Sequence, residues 1–456
     1  MDKSKSTSKL KDTPSSLRAK KFINSKVIKP ASLTRVPSLN SSGFSLKSQS
    51  TVSLSYISNI STANQSLRGS IDTKATQRSR NRPVQSSESS IPTPKKPLTR
   101  SEAIKANGRF LNRFELKELQ KFKNVYFIRQ AFVEFNEDYF NKEGEYFVII
   151  GDCICYRYEI IELIDSGSFG QVLKCIDHKS NELVAVKVLA NHYNSKKVGL
   201  NEFKIVEMLG KGLNHNNIVR GKKRFVFRHH FFMVFELLGI NLYKFLHFNE
   251  YKPVNINLVK RISAQLLRGL HHIHSHQVIH CDLKPENIVF KQNNKSSIRI
   301  IDFGTSSTHN TVNFTYFQTR LYRAPEVVLK LGAYGPEIDI WSLGCVVCEL
   351  LLGIPLFSGE NEKELLVSMC EFLGPPPDEL LIEAKTDFDI CVLDWKGKPK
   401  LRKVLERYSV DVVEFVESCL MWKPEDRITA SEGLQAKWFQ TSHSRSSSLE
   451  DLLSRF

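Results

Sequence analysis

The chain has 456 residues, 41% of them hydrophobic and 10% aromatic, and a formal charge of +17. That length admits two or three domains and a sizeable core. The nine cysteines are scattered, with no two CxxC units at zinc spacing, so a disulfide-stapled or zinc-stapled scaffold is excluded. The charge is lopsided: residues 1–100 hold 19 Lys/Arg against 4 Asp/Glu, which is +15 and leaves only +2 for the rest. The globular part is close to neutral, which argues against a nucleic-acid-binding fold.

Residues 1–97 are rich in Ser, Thr, Lys, Asn and Pro, and their sparse apolar residues show no periodicity. Such a segment cannot offset its ordering entropy by burial, so a disordered basic tail is expected. Its clusters Arg18-Ala19-Lys20-Lys21 and Lys95-Lys96 can meet an anionic surface or an import factor, or can simply be solvated. Met1-Asp2-Lys3 has no apolar stretch behind it, so no signal peptide is expected. No run of apolar residues approaches the length of a membrane span. An odd set of scattered cysteines suits a reducing compartment, and the expected location is the cytoplasm, with nuclear entry open through the basic clusters.

Order is expected from Leu98. Thr99-Arg100-Ser101-Glu102 has the form of a capping box. Leu111, Phe114, Leu116, Leu119 and Phe122 follow at roughly helical spacing. Val125-Tyr126-Phe127-Ile128 and Tyr146-Phe147-Val148-Ile149-Ile150 read as strands, the second closed by a Gly151-Asp152 turn. Residues 98–157 are too few for a confident independent domain and read as an appendage packed on the larger region that begins at Tyr158.

Ile164-Asp165-Ser166-Gly167-Ser168-Phe169-Gly170-Gln171-Val172 is a strand, a glycine turn and a strand. Val184-Ala185-Val186-Lys187 places a cation at the inner end of an apolar strand, where it needs a ligand or a carboxylate. Fifteen residues on, Glu202 lies in a helix whose apolar stripe is Phe203, Val206 and Leu209, and it can point at Lys187. Glu207 is the competing partner, better suited to a solvated face. Met233 to Leu238 reads as a buried strand ending at Gly239, and Leu258 to Ile273 as an amphipathic helix.

That helix runs into His280-Cys281-Asp282-Leu283-Lys284-Pro285-Glu286-Asn287, which offers a carboxylate, an ammonium and a carboxamide close together. The nearby histidines lack a helical H-E-x-x-H or H-x-x-E-H core, so a metal site there is not expected, and His280 reads as a packed structural residue. Asp302-Phe303-Gly304 follows a polar hairpin at 292–297, and Ala324-Pro325-Glu326 closes a segment containing Tyr316-Phe317-Gln318-Thr319-Arg320. Asp339 opens a helix and can accept backbone hydrogen bonds from the 280–287 stretch. Arg427 is placed to pair with Glu326. Residues 440–456 form a Ser-rich tail.

These motifs, in this order, make residues 158–439 resemble the eukaryotic protein kinases. Tyr322-Arg323-Ala324-Pro325-Glu326 is similar to the CMGC group. His280-Cys281-Asp282 in place of H-R-D, Gly167 to Val172, Tyr316 to Arg320, Phe235 to Leu238 and Asn241-Leu242-Tyr243 are most similar to the dual-specificity tyrosine-regulated (DYRK) family. Residues 98–157 look like the accessory region of its class II members.

The resemblance implies an α+β bilobal fold, with a small β-rich lobe over 158–238 and a larger, mostly helical lobe over 239–439. It implies ATP and Mg²⁺ as cofactors. ATP would be held by Ile164, Gly167, Ser168, Phe169, Gly170, Val172, Ala185, Lys187 (locked by Glu202), Phe235 and the hinge Glu236, Leu237 and Leu238. Asp282 would be the base, Lys284 would cover the γ-phosphoryl, and Asn287 and Asp302 would hold the metal. The implied activity is phosphorylation of Ser/Thr in protein substrates by a monomer that autophosphorylates Tyr316. With Cys281 in place of the loop arginine, Arg320 and Arg323 would anchor that phosphate. Family substrates often carry Arg before the target and Pro after it. The chain departs from the family in Asp165, which stands where the first loop glycine is expected, and in a short Leu381–Val413 segment. The alternative is a catalytically weak pseudokinase scaffold.

Overall fold

The computed structural model describes residues 96–440, except 134–138, 168–169, 212–216, 292–293, 309–317, 333 and 387–396. The expectations for residues 1–95 and 441–456, and for Tyr316, Ser168 and Phe169, therefore fall outside the described residues.

The chain enters through two short helices, α1 (Arg100–Asn107) and α2 (Arg113–Leu119). Both begin with a capping box: Thr99 with Glu102, and Asn112 with Glu115. Each box satisfies amide groups that the first helical turn leaves unpaired. The periodic run from Leu111 to Phe122 yields only the seven residues of α2.

The two strands expected from Val125–Ile128 and Tyr146–Ile150 do not form. Isolated bridges stand in their place, Leu98 to Val125 and Phe140 to Tyr146. The amides of Tyr126 and Phe127 both donate to the Tyr156 carbonyl, at 2.9 and 3.1 Å, so they cannot enter a ladder. The expected turn is present, with Gly151 at φ 83° and the Asp152 amide on the Ile149 carbonyl at 3.0 Å.

A six-stranded antiparallel sheet follows, in the order β1-β2-β3-β4-β6-β5. The strands are β1 (Cys153–Ile154), β2 (Tyr158–Gly167), β3 (Gly170–Asp177), β4 (Glu182–Val188), β5 (Gly221–Phe227) and β6 (His230–Glu236). Side chains alternate across it. Ile160, Leu173, Val184, Val186, Phe232 and Val234 form one buried face, which Tyr139 and Tyr146 of the preceding segment help to cover. Met233 and Phe235 lie on the other face, against Phe203 and Val206 of α3 (Ser195–Leu209).

The segment before the sheet is tied down by buried charge. Arg129 pairs with Glu115 and, at 2.8 Å, with Asp152; Arg228, in the β5–β6 turn, pairs with Glu115 and Glu118, each at 3.1 Å. Glu115, Arg129, Asp152 and Arg228 are all buried. Glu115 and Glu118 of this segment are thus joined to the β5–β6 turn through Arg228.

The larger part is mainly helical. It contains α4 (Leu242–Phe248), α5 (Ile256–Ser275), α6 (Pro325–Val328), α7 (Glu337–Leu352), α8 (Glu362–Leu373), α9 (Asp378–Glu383), α10 (Leu401–Val404) and α11 (Val410–Cys419). Helix α7 is buried from Ile338 to Leu351, which makes it the axis of the lobe. Between α5 and α6 lie β7 (Val278–Ile279), the hairpin of β8 (Ile288–Lys291) with β9 (Asn294–Ile300), and β10 (Ser307–Thr308), which pairs with β7. The two lobes meet where Ile300 exchanges backbone hydrogen bonds with Asn217 and Val219, at 2.8 and 3.1 Å. Glu326 and Arg427 form the expected pair, doubly bonded at 2.6 Å and buried. No helix among the described residues is long and apolar enough to cross a membrane.

Candidate active site

Lys187 sits near the end of β4, opposite Val172 on β3 and Met233 on β6. Its Nζ donates to Glu202 Oε1 and Oε2 at 2.8 and 3.1 Å, and to Asp302 Oδ1 at 2.8 Å. Glu202 is the partner because it lies on the buried stripe of α3, while Glu207 pairs with Arg224 at the surface. Burial opposes the Lys187 charge, but Glu202 and Asp302 outweigh it and hold the ammonium above its ordinary range. Burial pushes the Glu202 carboxyl up, against the pull of Lys187. At Asp302, burial is overcome by Lys187 and the carboxyl is lowered.

The second half of the site is the 280–287 stretch. Asp339, fully buried on α7, accepts the His280 amide on Oδ2 at 2.8 Å and the Cys281 amide on Oδ1 at 3.0 Å. His274 reaches the same Oδ2 at 2.9 Å. Burial opposes the Asp339 charge, and the His274 bond is the largest of the effects that lower its carboxyl. His280 is buried, with its Nδ1 accepting from the Asp282 amide at 3.2 Å and its Nε2 on the Ile301 carbonyl at 3.0 Å. That arrangement fits the tautomer with the proton on Nε2, a structural histidine as expected. Cys281 is buried at a left-handed φ of 67°, and burial pushes its thiol well up.

Asp282 is thereby set beside Lys284, with Oδ2 2.7 Å from its ammonium. Asn287 Nδ2 donates to the Asp282 carbonyl at 2.9 Å and to its Oδ2 at 3.3 Å. Thr319 closes the group: its hydroxyl donates to Asp282 Oδ1 at 2.7 Å and accepts from Lys284 at 2.8 Å, and its amide donates to Oδ1 at 3.0 Å. A carboxylate held this way, with an ammonium beside it, can orient a hydroxyl and take its proton while positive charge faces a phosphoryl group.

A protein kinase domain model matches residues 158–439. The chain is 39% identical over 369 residues to the Homo sapiens dual specificity tyrosine-phosphorylation-regulated kinase 4, covering 76% of this chain and 71% of that one. The chain belongs to the DYRK family of protein kinases. It is also similar to the Dictyostelium discoideum probable serine/threonine-protein kinase dyrk2, at 40% over 367 residues, and to the Drosophila melanogaster dual specificity tyrosine-phosphorylation-regulated kinase 2, at 36% over 375. It spans 40% and 52% of those two longer proteins. As a DYRK-family protein it is a protein kinase, with the β-rich small lobe and helical large lobe of that fold.

The described residues singled out in the sequence for a nucleotide lie on β2, β3, β4 and β6 and in the segment that follows β6. Ile164 and Gly167 end β2, and Gly170 and Val172 begin β3. Gly170 has φ 110°, and a Cβ there would stand 2.2 Å from the Val188 carbonyl oxygen, so only glycine fits. Asp165 is exposed and accepts its neighbour Ser166's amide at 3.0 Å. Ala185 pairs with Phe235, whose ring lies 5.9 Å from that of Phe203. Glu236 ends β6 and turns its carboxylate to the Arg220 amide and to Arg299, at 3.0 and 3.2 Å, while Leu237 and Leu238 continue half-buried.

Arg320 has a buried Nε without a hydrogen-bond partner among the described residues. Arg323 is buried, with Nη1 on Glu362 Oε1 at 3.1 Å and Nη2 on the Gln318 carbonyl at 2.8 Å. The sequence reading gave no role to Thr319, Gln318, Glu362, Glu286 or Glu349. Thr319, Gln318 and Glu286 carried a signal, the first two in the family-like stretch after Tyr316 and the third within the 280–287 stretch. Glu349 is buried, accepts the Tyr322 hydroxyl at 2.8 Å, and is pushed up to about 8 by burial. Burial also raises the Glu286 carboxyl, and both acids act electrostatically on Tyr243. Among the described residues no group of three or more His, Cys, Asp or Glu could hold a metal by itself.

Proposed function

We propose that this kinase transfers the γ-phosphoryl of ATP to Ser and Thr hydroxyls of protein substrates, and that it phosphorylates its own Tyr316 during maturation. The observation that carries the reading is the simultaneous contact of Lys187 with Glu202 and Asp302 above an intact Asp282–Lys284–Thr319 group. Ile164, Gly167, Ser168, Phe169, Gly170, Val172 and Ala185 enclose the nucleotide, and Phe235 with Glu236, Leu237 and Leu238 receives its base. Lys187 carries the charge that faces the phosphates. The pairing of Asn287 Nδ2 with Asp282 turns the amide oxygen the other way, which suits Asn287 and Asp302 to Mg²⁺. That ion neutralises phosphate charge when bound. Asp282 accepts the proton of the substrate hydroxyl as its oxygen bonds to the γ-phosphorus. The bond from that phosphorus to the bridging oxygen breaks, ADP leaves, and Lys284 faces the migrating phosphoryl.

Peptide preference follows from two features. The Gln318 carbonyl, taken by Arg323, is closed to an incoming amide N–H, which favours proline after the target residue. Glu286 and Glu349 form an acidic pair beside Tyr243 and Tyr322, suited to an arginine before it. Arg320 and Arg323 are the cations nearest in sequence to a phosphate on Tyr316, and the unpartnered Arg320 Nε supports the first of them. The presence of Lys187, Asp282, Asn287 and Asp302 in the chain favours an active enzyme over the scaffold alternative, whose one sequence feature is Asp165.

Mass spectrometry of the recombinant protein together with a peptide-library screen tests this reading. Phosphate on Tyr316 and on Ser/Thr peptides is expected. Labelled Ser/Thr peptides with an unmodified Tyr316 would remove the autophosphorylation step, and no labelled peptide would remove the whole. The kinase is proposed to act as a monomer in the cytoplasm, with the basic residues of 1–97 giving access to an anionic surface or an import factor. Deleting 1–97 is expected to change its location, and unchanged location and salt-sensitive retention would contradict that part.

A further inference from the structure

Helix α5 ends in a run of histidines that the transfer chemistry leaves unused. His272 is half-buried in its last turn. Its Nε2 lies 2.9 Å from the carbonyl oxygen of Leu209, the last residue of α3. An oxygen of that kind only accepts, so Nε2 carries the proton and donates. The residue is held in place from behind. The His276 ring packs on the His272 ring at 4.4 Å between centroids, while His276 Nδ1 and Ser275 Oγ both donate to the His272 carbonyl, at 2.9 and 2.8 Å. Gln265 and Gly269 lie two turns and one turn earlier on the same face of α5. Gln265 Oε1 accepts from Asn217 Nδ2 at 3.1 Å, and a Cβ on Gly269 would stand 2.8 Å from Ile300 Cδ1 and 3.4 Å from Asn217 Cβ. This face of α5 therefore lies close against Asn217, eight residues past the end of α3, and at His272 it reaches α3 itself.

We infer that His272 is a positioning residue for phosphoryl transfer: by capping the C-terminal end of α3 from the large lobe, it holds Glu202 against Lys187. The inference rests on the proposed role of Lys187 at the nucleotide and names a residue of the other lobe that maintains it. The last carbonyls of a helix have no partner within it, and an N–H donor there also meets the negative end of the helix dipole. Helix α3 is a stiff element of 15 residues, so a tie at its end is felt along its length. Glu202 stands two turns, about 10 Å, before Leu209. Its two oxygens lie 2.8 and 3.1 Å from the Lys187 ammonium, and a displacement of about 1 Å takes both beyond hydrogen-bond distance. Without the His272 donor the Leu209 carbonyl turns to water, and α3 loses a tie to the lobe that carries Asp282 and Asp302.

The test measures, by calorimetry on the full chain, affinity for a non-hydrolysable ATP analogue with Mg²⁺. It compares wild type, His272→Phe and His272→Gln, each with and without Glu202→Gln, and thermal melting serves as the control for folding. Phenylalanine keeps a ring and removes the donor; glutamine restores an N–H. The loss of one hydrogen bond of this kind predicts an affinity lower by about threefold to tenfold in His272→Phe, with His272→Gln recovering most of it. In the Glu202→Gln background the same change should matter by less than about twofold, because the pairing it serves is already gone. A merely structural role would lower the melting temperature and leave the affinity unchanged, or would reduce it equally in both backgrounds; either result would overturn the inference alone. A glutamine variant as impaired as phenylalanine would also count against it. A wild-type chain that binds no analogue would overturn the proposed function and the inference with it. Should His272→Phe fail to fold, His272→Ala takes its place, and an unchanged affinity or an equal loss in both backgrounds again counts against the inference.

Discussion

Thr319→Val removes one hydroxyl from the centre of the site and changes its shape little. The backbone bond from the residue 319 amide to Asp282 Oδ1, at 3.0 Å, survives. The two side-chain bonds do not: 2.7 Å to Asp282 and 2.8 Å from Lys284. Hydrogen bonds to charged groups contribute about 1.5–3 kcal/mol each. Asp282 and Lys284 still touch each other at 2.7 Å, which recovers part of the loss. A net cost of about 2 kcal/mol in the transition state corresponds to roughly 30-fold in kcat/KM. The assay is steady-state transfer to a Ser-Pro peptide, with nucleotide affinity measured separately and expected to hold, because Thr319 contacts Asp282 and Lys284 rather than Lys187. Thr319→Ser should restore most of the rate. A valine variant within about twofold of wild type, or a serine variant as impaired as valine, would refute the reasoning.

Glu202→Gln leaves Lys187 with Asp302 as its charged partner. Breaking a buried pair costs at most about 3–5 kcal/mol, and the remaining carboxylate lowers that, so nucleotide affinity by calorimetry should fall roughly tenfold to a hundredfold; an unchanged affinity would show that Glu202 does not position the lysine. Glu349 gives a pH signature. Its folded carboxyl sits at about 8 against an ordinary 4.5, so the folded protein retains a proton that the unfolded chain releases. The stabilisation is complete below about 4.5 and is lost as pH rises through about 8. Melting curves between about pH 5.5 and 7.5 should show a wild-type decline of up to about 2–3 kcal/mol that Glu349→Gln lacks, and parallel curves would contradict the burial effect. Arg228→Met strips a buried cation from Glu115 and Glu118, which should destabilise the protein by about 3–5 kcal/mol. A melting temperature equal to wild type would mean that residues 98–157 do not depend on this network.

Much of the site was legible because its chemistry is local in sequence or set by a single helix face. Glu202 could be chosen over Glu207 since it lies on the stripe of Phe203, Val206 and Leu209. The loop that carries Asp282, Lys284 and Asn287 is one short stretch. Asp339 and Arg427 were legible through their motifs, although their partners lie 59 and 101 residues away. The buried ions of Glu115, Arg129, Asp152 and Arg228 had no such sign, because each looks like an ordinary surface charge until the chain folds back. The same holds for Glu362, whose partner sits 39 residues earlier. Val125–Ile128 misled because its composition suits a strand, yet Tyr126 and Phe127 spend their amides on one carbonyl, that of Tyr156. Tertiary packing overrode propensity there.

The central claim is that Asp282, held by Asn287, Lys284 and Thr319, serves the transfer of the γ-phosphoryl of ATP to a protein hydroxyl. Labelled γ-phosphate transfer from ATP with Mg²⁺ to a Ser-Pro peptide, compared between the native protein and Asp282→Ala, addresses it most directly. The native protein should label the peptide at a rate that the alanine variant lowers by roughly a hundredfold or more, with nucleotide binding retained. Equal labelling by both proteins, or none by either, would contradict it.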